Sequence, residues 1–348
     1  MFSKKSSTPK KIQLYLVSPT KYDWTKVANE MVKGCYMPYD KAKAIYVWLT
    51  DNIQYDTSYT IYDADTAWKE RKGVCQAYCE LFYRIGTAAG LDVRIITGHG
   101  RSQEKARKVI EDHCWIVVNR NPYPPKPSPF PEAIIYEKGH EEDANIQITK
   151  GLKRSSAILI EPTWGAGLVE DGKFVKNNHD MSWFDVDPCW MIFTHYPKNP
   201  HDQMLGEYVL SPEDYKQLPY LHPSYAEYGF ESTDLLSYFI HKGVCDFPKI
   251  YPHFGNLIEF VDIPISCNLQ QNQQYIMSLL KKQDCHLAII NGKDFFLDDE
   301  EDSQWKCDKQ VWSISFTPKR RGKLTLSIRD NMNRDLYHCV LEYQIKNT

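Results

Sequence analysis

The 348-residue sequence lacks the features of several large protein classes. No apolar run approaches the roughly 18 residues needed to span a membrane, and the Lys/Ser/Thr-rich start has no signal-peptide core behind it. With 42 Lys and Arg against 45 Asp and Glu, the net charge of −3 supplies no basic field for nucleic acid or an anionic membrane. We therefore expect a cytoplasmic protein without a transmembrane segment or a nucleic-acid ligand.

A disulfide framework is also missing. The ten cysteines are spread along the chain without dense spacing, and a chain of this length does not need disulfides to stabilise its core. We expect mostly reduced thiols. The length itself suggests about two domains.

Residues 68–90 contain a predicted helix that begins at a cysteine. Its apolar positions recur at the spacing of one helix face: Tyr78, Leu81, Phe82, Ile85 and Ala89. Gly90 suits the position just past the helix end. Cys75 falls in the first turn, where the positive end of the helix dipole stabilises a thiolate and predicts a lowered pKa. Cys75 is therefore a candidate nucleophile.

Two strand-like runs supply possible partners for this thiol. His113 precedes the apolar run 115–118, and Glu161 ends the run 157–161. His99 is the rival base, but it lies between two glycines, where a mobile imidazole would be poorly aimed. We therefore favour His113 as the base and Glu161 as the group that orients its imidazole.

These stretches, in the order Cys, His, acid, resemble the transglutaminase-like superfamily. Its signature is a Gly-x-Cys helix start, a His-x-Trp strand and an Asp-x-Thr-Trp-Gly strand end, and the corresponding residues here are 73–75, 113–115 and 161–165. Glu161 stands where the family usually has Asp, which places the carboxylate one methylene further from the backbone. The aromatic-rich segment 183–219 is similar to the region after the catalytic core in the kyphoscoliosis peptidase branch.

The resemblance implies a papain-like α+β catalytic domain that acts on protein or peptide amides through a thioester on Cys75. His113 and Glu161 complete the triad, and neither a cofactor nor a metal is implied. The backbone N–H of Cys75 would bind the oxyanion, with Gln76 and Tyr55 as further candidates. If water is the second substrate, the enzyme is a peptidase or a deamidase, which we favour. If a lysine amine is the second substrate, the enzyme is a transglutaminase.

Two other interpretations stay open. The fold could be catalytically inactive and serve as a protein-binding scaffold, because cysteine is among the most buried residue types. Alternatively, Cys75, Cys79, His113 and Cys114 could bind a metal. Structural zinc sites usually draw paired ligands from turns rather than from within a helix, so Cys79 and Cys114 are better interpreted as packing thiols.

The pattern of the chain changes near residue 250. Period-two runs begin there and predict strands at 260–266, 275–280, 286–290, 311–316, 324–328 and 337–345. They are typical of an all-β immunoglobulin-like sandwich of antiparallel strands, a natural surface for a partner protein. We predict a flexible basic tail (1–20), a catalytic domain (21–230), a linker (231–250) and a β-sandwich (251–348).

Six prolines lie between residues 122 and 131, within the catalytic domain. They prevent a regular element there. A long insertion in a compact domain is usually a surface loop or a disordered segment, so this one is a candidate contact for substrate or partner.

Overall fold

A computed structural model describes residues 20–102, 111–120, 156–177, 179–206, 208–242, 246–251, 254–299, 303–329 and 336–347. The predicted basic tail, apart from its last residue, and the proline-rich segment 122–131 lie outside the described residues. None of the helices in the described ranges is long and apolar enough to cross a membrane.

The part of the chain up to residue 242 mixes helices and strands. Its elements are α1 (Trp24–Met31), α2 (Pro38–Asn52), β1 (Gln54–Tyr55), α3 (Ala64–Glu70), β2 (Lys72–Gly73), α4 (Cys75–Ala88), β3 (Val93–Gly100), β4 (Glu111–Asn119), β5 (Ala157–Ile160), α5 (Pro162–Ala166), β6 (Gly167–Glu170), β7 (Lys173–Lys176), α6 (Pro188–Met191), β8 (His195–Pro197), α7 (Pro212–Gln217) and α8 (Ser232–Lys242). Short 3₁₀ turns cover Met181–Trp183, Pro200–Gln203 and Pro223–Tyr228.

Helix α4 packs against a four-stranded antiparallel sheet with the order β5-β4-β3-β8. The apolar face predicted for this helix is buried throughout. The helix begins at Cys75, and Gly90 follows its end with φ +80°, where the Leu91 N–H bonds the Gly86 carbonyl. The predicted start and stop of the helix are therefore confirmed.

Strand β3 is longer than the sequence suggests. The glycines on either side of His99 favour a loop, yet the strand continues to Gly100 because β8 pairs with this stretch. A Cβ atom at Gly98 would lie 2.2 Å from the Tyr196 carbonyl oxygen. Glycine here permits the close approach of a neighbouring strand.

The C-terminal part consists of strands. They are β9 (Lys249–Ile250), β10 (Ile258–Asp262), β11 (Asn268–Gln270), β12 (Tyr275–Lys281), β13 (His286–Asn291), β14 (Asp294–Leu297), β15 (Trp305–Asp308), β16 (Val311–Phe316), β17 (Gly322–Arg329) and β18 (Tyr337–Lys346). One sheet has the order β10-β12-β16-β15, and the other has the order β11-β18-β17-β13-β14, with β9 also paired to β18.

Each of the six predicted strands overlaps an observed one, and the strands missed by the sequence are all short. The expectation of purely antiparallel strands is wrong in one place, because β11 runs parallel to β18. A three-residue strand has too few side chains to show the alternation of apolar and polar residues from which strands are predicted.

The segment 231–250, predicted as a linker, contains helix α8. This helix contacts α6, and the Phe239 ring lies 6.0 Å from that of Phe193. Its apolar face explains why it packs rather than remaining an extended connection. The division of the chain into domains stays a prediction.

Candidate active site

The fold carries Cys75, His113 and Glu161 to one end of the central sheet. Cys75 is the first residue of α4, which packs across β4. His113 lies on β4, and Glu161 immediately follows β5. Because β4 and β5 are paired, with Ile116 opposite Ile160, the histidine and the glutamate arrive side by side.

The three side chains are in contact. His113 Nε2 lies 2.8 Å from Glu161 Oε2, and both residues are buried. The Cys75 thiol and the His113 ring are close enough to shift each other's pKa. Because Glu161 occupies Nε2, Nδ1 is the ring nitrogen available to Cys75. The imidazole therefore sits between the thiol and the carboxylate.

Glu161 has a second contact that explains its length. Its Oε1 accepts hydrogen bonds from the backbone N–H groups of Thr163 (2.8 Å) and Trp164 (3.1 Å), so the side chain caps the short helix α5. The other oxygen, Oε2, faces His113. The additional methylene of glutamate lets one carboxylate cap the helix and reach the imidazole.

His195 is a site residue that the sequence analysis missed. It is buried, and its Nε2 lies 3.3 Å from Glu161 Oε2, without the geometry of a hydrogen bond. Its Nδ1 lies 2.8 Å from Thr194 Oγ1, and its ring packs 4.5 Å from that of Trp164. No local spacing marks His195, because it reaches Glu161 only through the pairing of β8 with β3.

Burial and charge set the protonation of the two histidines. Burial alone would raise the pKa of Glu161, but the charge of His113 and its hydrogen bond hold it well below its usual range. Burial alone would lower the pKa of His113, but the charge of Glu161, together with the Cys75 thiolate when it forms, raises it to about 10. Burial lowers the pKa of His195 to about 4. At neutral pH, Glu161 and His113 therefore form an ion pair beside a neutral His195.

The expected fall in the pKa of Cys75 is wrong in this environment. The interaction with the Cys114 thiol, followed by burial, raises the pKa of Cys75 well above its usual value, although His113 acts in the opposite direction. The positive end of the helix dipole favours the thiolate and lowers the pKa of Cys75. Desolvation and the neighbouring thiol raise the pKa by more. At rest, Cys75 is therefore a protonated thiol.

One group of side chains at the site could hold a metal ion. Ligand atoms of His113, Glu161 and His195 lie within 4.8 Å of one another. The 2.8 Å between His113 Nε2 and Glu161 Oε2 is a hydrogen-bond distance. It is shorter than the edge of about 3.3 Å between two ligands of tetrahedral zinc. This spacing fits the protonated triad better than a metal site.

The remaining candidates are Tyr55, Gln76 and His99. Tyr55, on β1, is half-buried, and burial and the charge of Cys75 raise its pKa well above the usual range, so the two groups are in electrostatic reach. Gln76 is half-buried in the first turn of α4. His99 Nδ1 lies 3.5 Å from Asp112 Oδ1. Of the two histidines weighed as the base, His113 is the one that contacts Glu161.

Comparison with known proteins supports a transglutaminase-like fold for the part of the chain that contains Cys75 and His113. Residues 25–123 match the family model of the transglutaminase-like superfamily. A search of curated protein sequences gave no match.

Two solved structures are similar to parts of the chain. One is a candidate cysteine protease from Cytophaga hutchinsonii, at 22% identity over 30% of this chain and 36% of that chain, with a TM-score of 0.26. The other is a TGase, at 13% identity over 44% of this chain and 32% of that chain, with a TM-score of 0.24. The matches span only about a third of either structure's length, and TM-scores this low do not establish a shared fold. The match to the family model does not depend on them, and the matched residues 25–123 include Cys75 and His113.

Proposed function

We propose that the chain is a cysteine-dependent acyl-transfer enzyme that acts on protein or peptide amides through a thioester on Cys75. The observation that carries this proposal is the imidazole of His113, held 2.8 Å from a buried carboxylate and within electrostatic reach of the Cys75 thiol at the start of α4. A nucleophile, a base and a group that orients the base are the parts that cysteine catalysis requires. No cofactor is needed.

The first half-reaction would form the thioester. One proton must leave the resting pair of Cys75 and His113, which leaves a thiolate beside an imidazolium. The thiolate attacks the amide carbon, and the backbone N–H of Cys75, with Gln76 or Tyr55, binds the oxyanion. When the tetrahedral intermediate collapses, the C–N bond breaks and His113 gives its proton to the leaving amine.

The second half-reaction decides the enzyme class. Neutral His113 accepts a proton from water as the water attacks the thioester, and collapse releases the acid and restores the Cys75 thiolate. A backbone amide would make this a peptidase, and a glutamine side chain would make it a deamidase. We favour hydrolysis over transfer to a lysine amine because water needs no second binding site. The segment 183–219, similar to the kyphoscoliosis peptidase branch, supports the same choice.

One assay tests the proposal. A glutamine-containing protein is offered with a labelled primary amine, and amine incorporation, ammonia release and backbone cleavage are compared. Cys75→Ala is the matched control, because it removes the thiol and leaves the helix start. We expect ammonia release or cleavage that this variant lacks. Efficient amine incorporation would instead indicate a transglutaminase.

A catalytically inactive binding module is the second candidate. The raised pKa of Cys75 favours it, because a protonated thiol is a weak nucleophile. If amine incorporation, ammonia release and backbone cleavage are all absent at neutral and alkaline pH, with Cys75 intact, this alternative is favoured.

We further propose that residues 251–348 form an immunoglobulin-like sandwich. The support is the order of the strands. If β10, β12, β15 and β16 are taken as strands A, B, D and E, the first sheet has the order A-B-E-D. The second sheet then contains the order G-F-C-C′, with the short β11 beside G.

A further inference from the structure

Three thiols meet at the candidate active site, although the proposed reaction uses only one. Cys75 is half-buried, whereas Cys79 and Cys114 are fully buried. Helix α4, which carries Cys75 and Cys79, packs on strand β4, which carries Cys114, and the Cys114 thiol influences the pKa of both helix cysteines. Cys75 is therefore the member of the cluster that solvent reaches, and Cys114 lies directly behind it.

Two elements hold Cys114 against the nucleophile. Cys114 follows His113 on β4, and Cys75 begins α4, which packs on that strand. Any species formed on the Cys75 sulfur therefore has a second thiol next to it. Buried cysteines often act only as small apolar side chains, but few are in contact with a candidate nucleophile.

We propose that Cys75 and Cys114 form an intramolecular disulfide when a peroxide oxidises Cys75, which makes the pair an oxidative modification site. This inference rests on the proposed function only in taking Cys75 as the reactive thiol. The disulfide would remove the nucleophile without cleaving the chain, and a thiol reductant would restore it.

The chemistry needs a peroxide as the oxidant and two steps. The Cys75 thiolate attacks one peroxide oxygen, the O–O bond breaks, and the departing hydroxide takes a proton from His113, which leaves a sulfenic acid. The Cys114 sulfur then attacks the Cys75 sulfur, an S–S bond forms, and the S–O bond breaks. Hydroxide leaves with the Cys114 proton as water. Overall, two thiols are oxidised and one peroxide is reduced to two waters.

Cys114 is a better partner than Cys79. Cys79 lies one helical turn after Cys75, and Cys114, not Cys79, is the thiol that acts most strongly on the pKa of Cys75. The sulfenic acid on Cys75 would therefore meet Cys114 first. Cys79 serves as an internal control, because it is equally buried and lies in the same cluster.

Disulfide mapping of the full chain tests the proposal. The reduced protein is treated with hydrogen peroxide, its remaining thiols are blocked, and it is digested with trypsin without reduction. Cys75 and Cys79 share the peptide 73–84, and Cys114 lies in the peptide 109–120. Fragment ions from the bonds between Cys75 and Cys79 assign the partner. We expect a Cys75–Cys114 bond and the loss of two titratable thiols per chain.

Matched variants separate the roles of the two buried thiols. Cys79→Ser should keep the Cys75–Cys114 bond. Cys114→Ser should abolish it and leave a sulfenic acid on Cys75 that dimedone traps, in several-fold excess over the wild type. If Cys114→Ser does not fold, Cys114→Ala or the wild-type map alone still decides the question.

Several outcomes would overturn the inference. These are a Cys79–Cys114 bond as the main product, over-oxidation of Cys75 without a cross-link, or equal dimedone labelling in the wild type and Cys114→Ser. Because the readout is a bond rather than an activity, failure of the proposed function is distinguishable. If the Cys75–Cys114 disulfide forms but no acyl-transfer activity is detected, the modification site is supported and the proposed enzyme function is not.

Discussion

At the scale of single residues, two sets of hydrogen-bond partners fix the position of the Glu161 side chain. One carboxylate oxygen satisfies two backbone N–H groups at the start of α5, and the other faces His113. The cap holds the carboxylate in place, and this fixed position orients the imidazole. The departure from the Asp of the family pattern is therefore compatible with an orienting role.

We expect Glu161→Gln to keep the fold and lose most of the activity. The amide oxygen can still cap α5, but a neutral amide does not stabilise an imidazolium, and comparable substitutions lower kcat by up to about 10⁴-fold. Glu161→Asp is the control that keeps the charge and shortens the side chain. It should retain more activity than Glu161→Gln and lose about 1 kcal/mol of stability if the cap breaks. Equal kcat/KM for Glu161→Gln and the wild type would place the orienting group elsewhere.

The protonation of Cys75 leads to a second prediction at this scale. Because Cys114 and burial raise the pKa of Cys75, alkylation by iodoacetamide should accelerate by about tenfold per pH unit through the neutral range. His113→Ala should slow the reaction by removing the cation beside the thiolate. Peptide mapping measures the rate, with exposed Cys307 as the reference thiol. A rate that stays flat between about pH 6 and pH 9 would indicate a preformed thiolate.

At the scale of elements, the sequence predicts the features that depend on local patterns. It does not predict those that depend on pairing between distant segments. Helix α4 carries apolar residues at helical spacing and strand β4 carries a continuous apolar run, so their existence and the positions of Cys75 and His113 follow from the sequence. His195 and Arg101 do not, because their partners are far along the chain. The contact between Glu161 and His195 needs β8 to pair with β3, and no periodicity in one segment encodes that pairing.

Arg101 fixes the segment that follows β8. Its buried guanidinium donates hydrogen bonds to the carbonyls of Phe193, Tyr215, Leu218 and Pro219. Arg101→Met would remove the guanidinium donors from these buried carbonyls, of which only that of Tyr215 also accepts from a backbone N–H among the bonds described, and we expect a loss of about 3 kcal/mol. Arg94→Met is the control, because Arg94 is largely exposed in its ion pair with Asp202, and it should cost at most about 1 kcal/mol. Urea unfolding of both variants measures the difference, and similar losses would contradict the anchoring role.

At the scale of the whole molecule, the buried histidine couples the fold to pH. The pKa of His195 is about 4 in the folded chain, against about 6.5 when unfolded. As the pH falls between these values, the unfolded chain binds a proton that the folded chain excludes. Stability should therefore fall with decreasing pH, by up to about 1.4 kcal/mol per pH unit from this group.

His195→Asn should flatten this dependence of the free energy of unfolding between about pH 6.5 and pH 4. His201→Asn, at an exposed position, is the control and should keep the wild-type slope. Denaturant unfolding at a series of pH values gives both slopes. An unchanged slope in His195→Asn would mean that other groups dominate the acid response.

The two parts of the chain are joined by a packed aromatic contact. Tyr228 is buried, its hydroxyl donates to the Tyr251 carbonyl at 2.5 Å and accepts from the Phe254 N–H, and its ring stacks 5.4 Å from that of Phe260. Lys282 Nζ donates to the Glu227 carbonyl at 2.9 Å. A contact of this kind couples the unfolding of the two parts, even where each has its own core.

We therefore expect the two parts to unfold together and Tyr228→Ala to uncouple them, because loss of the ring costs about 3 to 5 kcal/mol at the contact. Tyr228→Phe keeps the ring, so coupling should persist with a loss of about 1 kcal/mol. Cys79 and Cys285, both buried, report on the two parts through their labelling during a thermal ramp. They should become reactive at one temperature in the wild type and at two in Tyr228→Ala. Two temperatures already in the wild type would mean that the parts unfold independently despite the contact.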